Sequence, residues 1–167
     1  MKTNHTIVTA LSLCLLASGN TYCETVHQTL RGEDAFSGEG AKAVDKKIME
    51  IKDVPGGKVA RVVGSVPQWG YVNYWFGLPS PAGPSILRVK LFVDDSETAD
   101  YAFYIKKPSG DPLFEKLQIP ADAKKNGFVT IDLPVDLPQE WNGLALKKVA
   151  KSDKPSPWID SISVVLP

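Results

Sequence analysis

Trp69, Tyr71, Asn73 and Trp75 recur at every second position of QWGYVNYWFGL, the spacing that puts side chains on one face of a β-strand. Three broad rings and one side-chain amide on a single face form a set with a definite chemistry. The ring faces pack against C–H groups, and the amide donates and accepts hydrogen bonds, which together suit a sugar ring and its hydroxyls. The same rings would also serve a β-sandwich as a second apolar layer, or lie covered by the loop around PSPAGP. Trp141, Asn142 and Gly143 repeat the pairing of aromatic and amide in what reads as a loop, and Trp158 follows a KPSP turn. Loops held by a scaffold present ligand-binding groups, although a tryptophan also plugs the open end of a small sandwich.

Among the acids, Asp160 stands out. In PSPWIDSISVVLP it alternates with Trp158, Ile162, Val164 and Leu166, so a strand that buries this apolar set is expected to bury the carboxylate with it. A buried carboxylate requires a hydrogen-bond network or a cation. Asp94, Asp95 and Glu97 lack the spacing and the glycine of a calcium loop and read as a solvated turn. Catalytic chemistry is poorly supplied. His27 is the one histidine beyond the first 23 residues, so neither a Ser/His/acid triad nor a histidine-rich metal site can be assembled, and no pair of carboxylates is singled out. The chain is expected not to be an enzyme.

The elements that position these residues follow a short leader. Lys2, an apolar run from Ile7 to Ala17 and then small residues have the layout of a secretory signal peptide, too short to span a bilayer. Residues 1–23 are read as that peptide, cleaved after Gly19 or after Cys23, and 24–167 as one domain that is secreted, periplasmic or extracellular. Cys14 and Cys23 are the only cysteines, so the remaining domain has no internal disulfide to rely on. Without Lys2, 18 basic residues face 19 acidic ones. Such a balanced surface offers no footprint for nucleic acid or an anionic membrane, and no second apolar span predicts membrane insertion.

Thirteen prolines and thirteen glycines punctuate the chain, and no long stretch has a helical apolar period. Leu87, Val89, Leu91 and Val93 alternate as a half-buried strand; Tyr101, Phe103 and Ile105, then Val129, Ile131 and Leu133, then Leu144 and Leu146 give others. PSPAGP, KKPSGDP and LPVDLP separate them as turns. Strands at this spacing predict an all-β, antiparallel β-sandwich. Val89, Leu91, Phe103, Ile131, Tyr74, Phe76, Ile162 and Val164 are expected in its core.

With the strands placed, the chain resembles the galactose-binding-like jelly-roll domains, in particular carbohydrate-binding modules of the family-six and family-thirty-five kind. LRGEDAFSGEGAKAV, with Glu33 before Gly38 and Gly40, is similar to their first strand and its turn; GYVNYWFGLPSPAG and ILRVKLFV, through Tyr71, Asn73, Tyr74, Phe76, Leu78, Gly83 and Arg88, to their middle; and WIDSISV, with Asp160, to their closing strand. The resemblance implies adjacent first and last strands, and a structural calcium ion (Ca2+) held by Glu33 and Asp160 with carbonyls and water. It further implies a non-catalytic module that binds a glycan or polysaccharide, with Trp69, Tyr71, Asn73, Trp75, Trp141, Asn142 and Trp158 as candidate contacts. Phe128 stands where family-six modules often carry a tryptophan, and Ile159 where they often carry an asparagine. The alternative is a structural domain of the cell envelope with the same fold, no sugar ligand and a protein partner.

Overall fold

A computed structural model of the chain describes residues 12–15, 22–35, 48–105 and 112–167. The expected turns around Gly38 and KKPSGDP lie wholly or partly outside the described residues. Eleven strands are described: β1 (Ser12–Leu15), β2 (Tyr22–Arg31), β3 (Met49–Val54), β4 (Gly57–Val62), β5 (Tyr71–Ser80), β6 (Gly83–Val93), β7 (Tyr101–Ile105), β8 (Leu113–Leu117), β9 (Gly127–Leu137), β10 (Trp141–Lys148) and β11 (Trp158–Leu166). All pairings are antiparallel. They build a seven-stranded sheet around β11 and a four-stranded sheet in the order β5-β10-β7-β8. The chain is an all-β sandwich of two antiparallel sheets.

In the larger sheet β11 pairs with β6, which pairs with β9, and its other edge is shared by β2 and the β3–β4 hairpin. The register Leu30↔Ile162 sets β2 beside the closing strand. A turn of 3-10 helix, Gly32–Asp34, ends β2 and carries Glu33 on its exposed side. Gly32 is required there, because a Cβ on it would stand 2.0 Å from the Ile159 carbonyl oxygen.

Alternation decides what lies between the sheets. Val72, Tyr74 and Phe76 from β5, Leu144 and Leu146 from β10, and Tyr101, Phe103 and Ile105 from β7 meet Leu87, Val89 and Leu91 from β6 and Ile159, Ile162 and Val164 from β11. Burying each such aliphatic side chain stabilises the fold by about 1.5–3 kcal/mol. Of the expected core, Ile131 alone is only partly buried; it packs against the cluster from β9, at the sheet's edge. One departure from strict alternation shapes the chemistry. Against β6, Ile159 pairs with Leu91 but Ser161 with Lys90, so Asp160 is the extra residue of a β-bulge. The bulge reverses the facing of β11: Ile162 and Val164 enter the main core, whereas Trp158 lies in a separate cluster with Val59 and Phe92. The expectation that Asp160 shares a face with Trp158 and Ile162 is corrected accordingly.

Candidate functional site

The outward face of the four-stranded sheet carries a groove of about 360 Å³ lined by Tyr71, Asn73, Trp75, Tyr104, Gly143, Leu144, Ala145 and Lys147. Its construction follows from the same alternation that builds the core. With Val72, Tyr74 and Phe76 inward, β5 must present Tyr71, Asn73 and Trp75 outward; with Leu144 and Leu146 inward, β10 presents Gly143, Ala145 and Lys147; and β7 turns Ala102 and Tyr104 outward, of which Tyr104 lines the groove. The central strand therefore supplies two small residues as a floor, and its neighbours supply aromatic walls. Trp75 is 51% exposed and Tyr71 42%.

Trp75 is held against that floor. It pairs across the strands with Gly143, and a Cβ on Gly143 would stand 3.0 Å from Trp75 Cε3 and 3.2 Å from Cδ2. The indole thus occupies space that any side chain would claim, covering a glycine that would otherwise leave its strand bare. The Lys147 ammonium lies 3.8 Å from the centre of the Tyr104 ring and 5.5 Å from that of Tyr71, within the range of cation–π attraction. Among the described residues Lys147 is the one charged residue of the lining.

The other candidates lie elsewhere. Trp69 is 58% exposed, with φ 69, and precedes β5 rather than extending its alternation, so it is not part of the lining. Trp141 opens β10 and is buried, its ring 5.2 Å from that of Phe76. A register shift between Trp141 and Gly143 turns the indole inward while Gly143 faces out, which corrects the reading of Trp141 as an exposed loop residue. Asn142 is partly buried between them and does not line the groove.

Trp158 is buried too, and a ligand contact is corrected to a structural one. Its indole N–H donates to Asp94 Oδ2 at 2.7 Å, and the Arg61 guanidinium lies 4.1 Å above its ring. Asp94 is therefore more than a solvated turn residue. Burial alone would raise its pKa, but hydrogen bonds from the Ser96 hydroxyl and amide, the Trp158 indole and Lys52 outweigh that and hold it at about 2. Asp95 and Glu97 are exposed and pair with Lys125 and Lys154.

Asp160 is buried, and positive charge reaches it from two side chains. Arg31 Nη1 lies 3.5 Å and Lys90 Nζ 3.4 Å from its Oδ2, which also accepts from the Ser161 hydroxyl at 3.0 Å. Oδ1 is buried without a hydrogen-bond partner. Among the described residues no group of three or more His, Cys, Asp or Glu gathers in a metal-holding arrangement.

Tyr104, Gly143, Ala145 and Lys147 escaped the reading of the sequence as site residues. The signal for them was present, since each adjoins an apolar residue of an alternating strand, Phe103, Leu144 or Leu146. What the sequence did not carry is that β10 lies between β5 and β7.

This architecture is that of an antiparallel jelly-roll β-sandwich. No protein-family model matches the sequence, and no curated protein matches it. Solved structures do match in fold. The C-terminal family-6 module of a laminarinase from Zobellia galactanivorans aligns over 83% of this chain and 98% of its own, with 12% identity and a TM-score of 0.56. The family-6 module of Cellvibrio mixtus lichenase 5A, solved with cellotriose, aligns over 85% and 98%, with 17% identity and a TM-score of 0.56. A family-35 module from Clostridium thermocellum aligns over 82% and 97%, with 15% identity and a TM-score of 0.53. At such identities the likeness is one of fold.

Proposed function

We propose that this chain is a non-catalytic, secreted glycan-binding module whose site is the groove on β5, β10 and β7. One observation carries the reading: Trp75, Tyr71 and Asn73 line a single groove, with Trp75 half exposed and seated on a glycine. A ring fixed against the sheet offers a sugar a platform that is already desolvated on its far side, so little ordering cost opposes binding. Asn73, in the same lining, would supply an amide to hydroxyls of a sugar on Trp75. Weak affinity is expected, because an open groove removes little apolar area from water and each sugar hydroxyl gives up water to bind. A glycan array probed with the chain from Glu24 onward tests the reading. Binding that disappears in Trp75→Ala supports it, whereas capture of envelope protein with no glycan bound would favour the interaction domain.

For the calcium ion expected at Glu33 and Asp160, we propose that Arg31 and Lys90 stand in its place. Calcium takes six to eight oxygens, and the one buried carboxylate oxygen without a hydrogen-bond partner among the described residues, Oδ1 of Asp160, belongs to a carboxylate flanked by two cations. The donor set is a poor fit to the ion. The two side chains already supply the neutralising charge that a buried carboxylate requires.

A further inference from the structure

The groove holds an ammonium where a neutral sugar needs none. Lys147 is on the outward face of β10, between the rings of Tyr71 and Tyr104, and no carboxylate among the described residues pairs with it. Among the described residues the lining contains no acid. A second lysine extends the charge along the same row: Ala102 of β7 pairs with Lys147 on one side and with Lys116 of β8 on the other. Lys116 is exposed and faces the same way. Two strand spacings put the two backbone positions about 10 Å apart, within reach of neighbouring residues of one chain of sugars, with the buried Ala102 between them.

We propose that the groove selects an anionic glycan, its pyranose ring seated on Trp75 and its acidic substituent, a uronate carboxylate or a sulfate ester, paired with Lys147. This rests on the glycan-binding reading and adds the charge class of the ligand. A lysine suits the task because its ammonium is a compact charge on a flexible stem with three donors, and it can swing from the tyrosine faces to an incoming oxyanion. Lys116 then meets the next acidic residue along the chain.

The experiment is affinity electrophoresis of the chain in gels containing polygalacturonate, κ-carrageenan or a neutral galactan. An exposed ion pair contributes up to about 1 kcal/mol, so retardation by at least one of the acidic polymers is expected to exceed that by galactan by roughly fivefold in affinity. The acidic polymer that wins distinguishes carboxylate from sulfate. The excess falls with added salt and with Lys147→Met, returns in Lys147→Arg, and persists in Lys125→Met, which removes a charge outside the lining. Equal retardation by acidic and neutral polymers, lost in Trp75→Ala, overturns the charge selectivity and leaves the glycan-binding reading standing. An acidic preference that survives Lys147→Met also overturns it. Retardation by none of the polymers, together with an empty glycan array, removes both readings.

Discussion

Gly143→Ala separates the platform from the fold. The added methyl would stand 3.0 Å from Trp75 Cε3 and 3.1 Å from the Tyr74 carbonyl oxygen, inside the 3.4–4 Å of ordinary contact. Tyr74 is fixed by the core, so the half-exposed indole is the partner that gives way, by a few tenths of an ångström or by leaving the sheet. Losing a glycine from the unfolded chain stabilises by about 0.4–1 kcal/mol, which offsets much of the crowding, and the melting temperature is expected to change little. Binding is different. The exposed half of an indole is on the order of 100 Å², and a pyranose covering one side of it removes about 50–60 Å² from water. At ~25 cal/mol/Å² that contributes ~1.5 kcal/mol, or about tenfold in Kd. Gly143→Ala should therefore weaken glycan binding by up to about tenfold, with tryptophan fluorescence shifted as the indole moves. Full affinity together with an unshifted spectrum would refute the claim that the glycine seats the ring.

Further outcomes follow from the charged and buried groups. Asp94, held at about 2 in the fold against 3.8 in the unfolded chain, contributes stability that is present above pH 4 and lost as pH falls towards 2; allowing for solvent screening, this is about 1–2 kcal/mol. Denaturant melts at pH 5 and pH 2.5 should show that loss, and Asp94→Asn should shrink it; an undiminished loss would place the acid sensitivity elsewhere. Burial pushes the Tyr74 and Tyr101 hydroxyls well above their ordinary 10, so the fold keeps protons that the unfolded chain sheds above pH 10. Each tyrosine then lowers stability by up to about 1.4 kcal/mol per pH unit, while Lys148, pushed down by burial, acts in the opposite sense. The Tyr101 hydroxyl has no hydrogen-bond partner; Tyr101→Phe should flatten the alkaline slope at little cost at pH 7, and a loss above about 1 kcal/mol there would reveal a partner. Adding calcium should leave the melting temperature unchanged, whereas a rise that Asp160→Asn abolishes would restore the ion to Asp160.

The two sheets and most of the core were legible because alternation is a local signal: Leu87 to Val93, Tyr101 to Ile105 and Tyr71 to Phe76 each announce their inner face. The shared face of Tyr71, Asn73 and Trp75 was legible for the same reason. Trp141 and Asp160 were misplaced by one physical cause, a register shift that breaks the period of two, and bulges leave little trace in a single sequence. Trp69 misled differently, since its left-handed backbone takes it out of the strand before the alternation begins. The partners of each strand are non-local, so Tyr104 and Lys147 could be assigned outward but not to Trp75. Asp160 was expected to need a counter-charge, and its burial beside Arg31 and Lys90 provides one; that those cations come from β2 and β6 depends on pairings across more than 60 residues.

The central claim is that the β5–β10–β7 groove binds a glycan through Trp75. Isothermal titration of the best array oligosaccharide into the unaltered chain and into Trp75→Ala tests it most directly, with the melting temperatures of both recorded. Saturable binding by the first and none by the second, at closely similar melting temperatures, is the predicted result. Equal binding by the two proteins would place the site off this face and contradict the account.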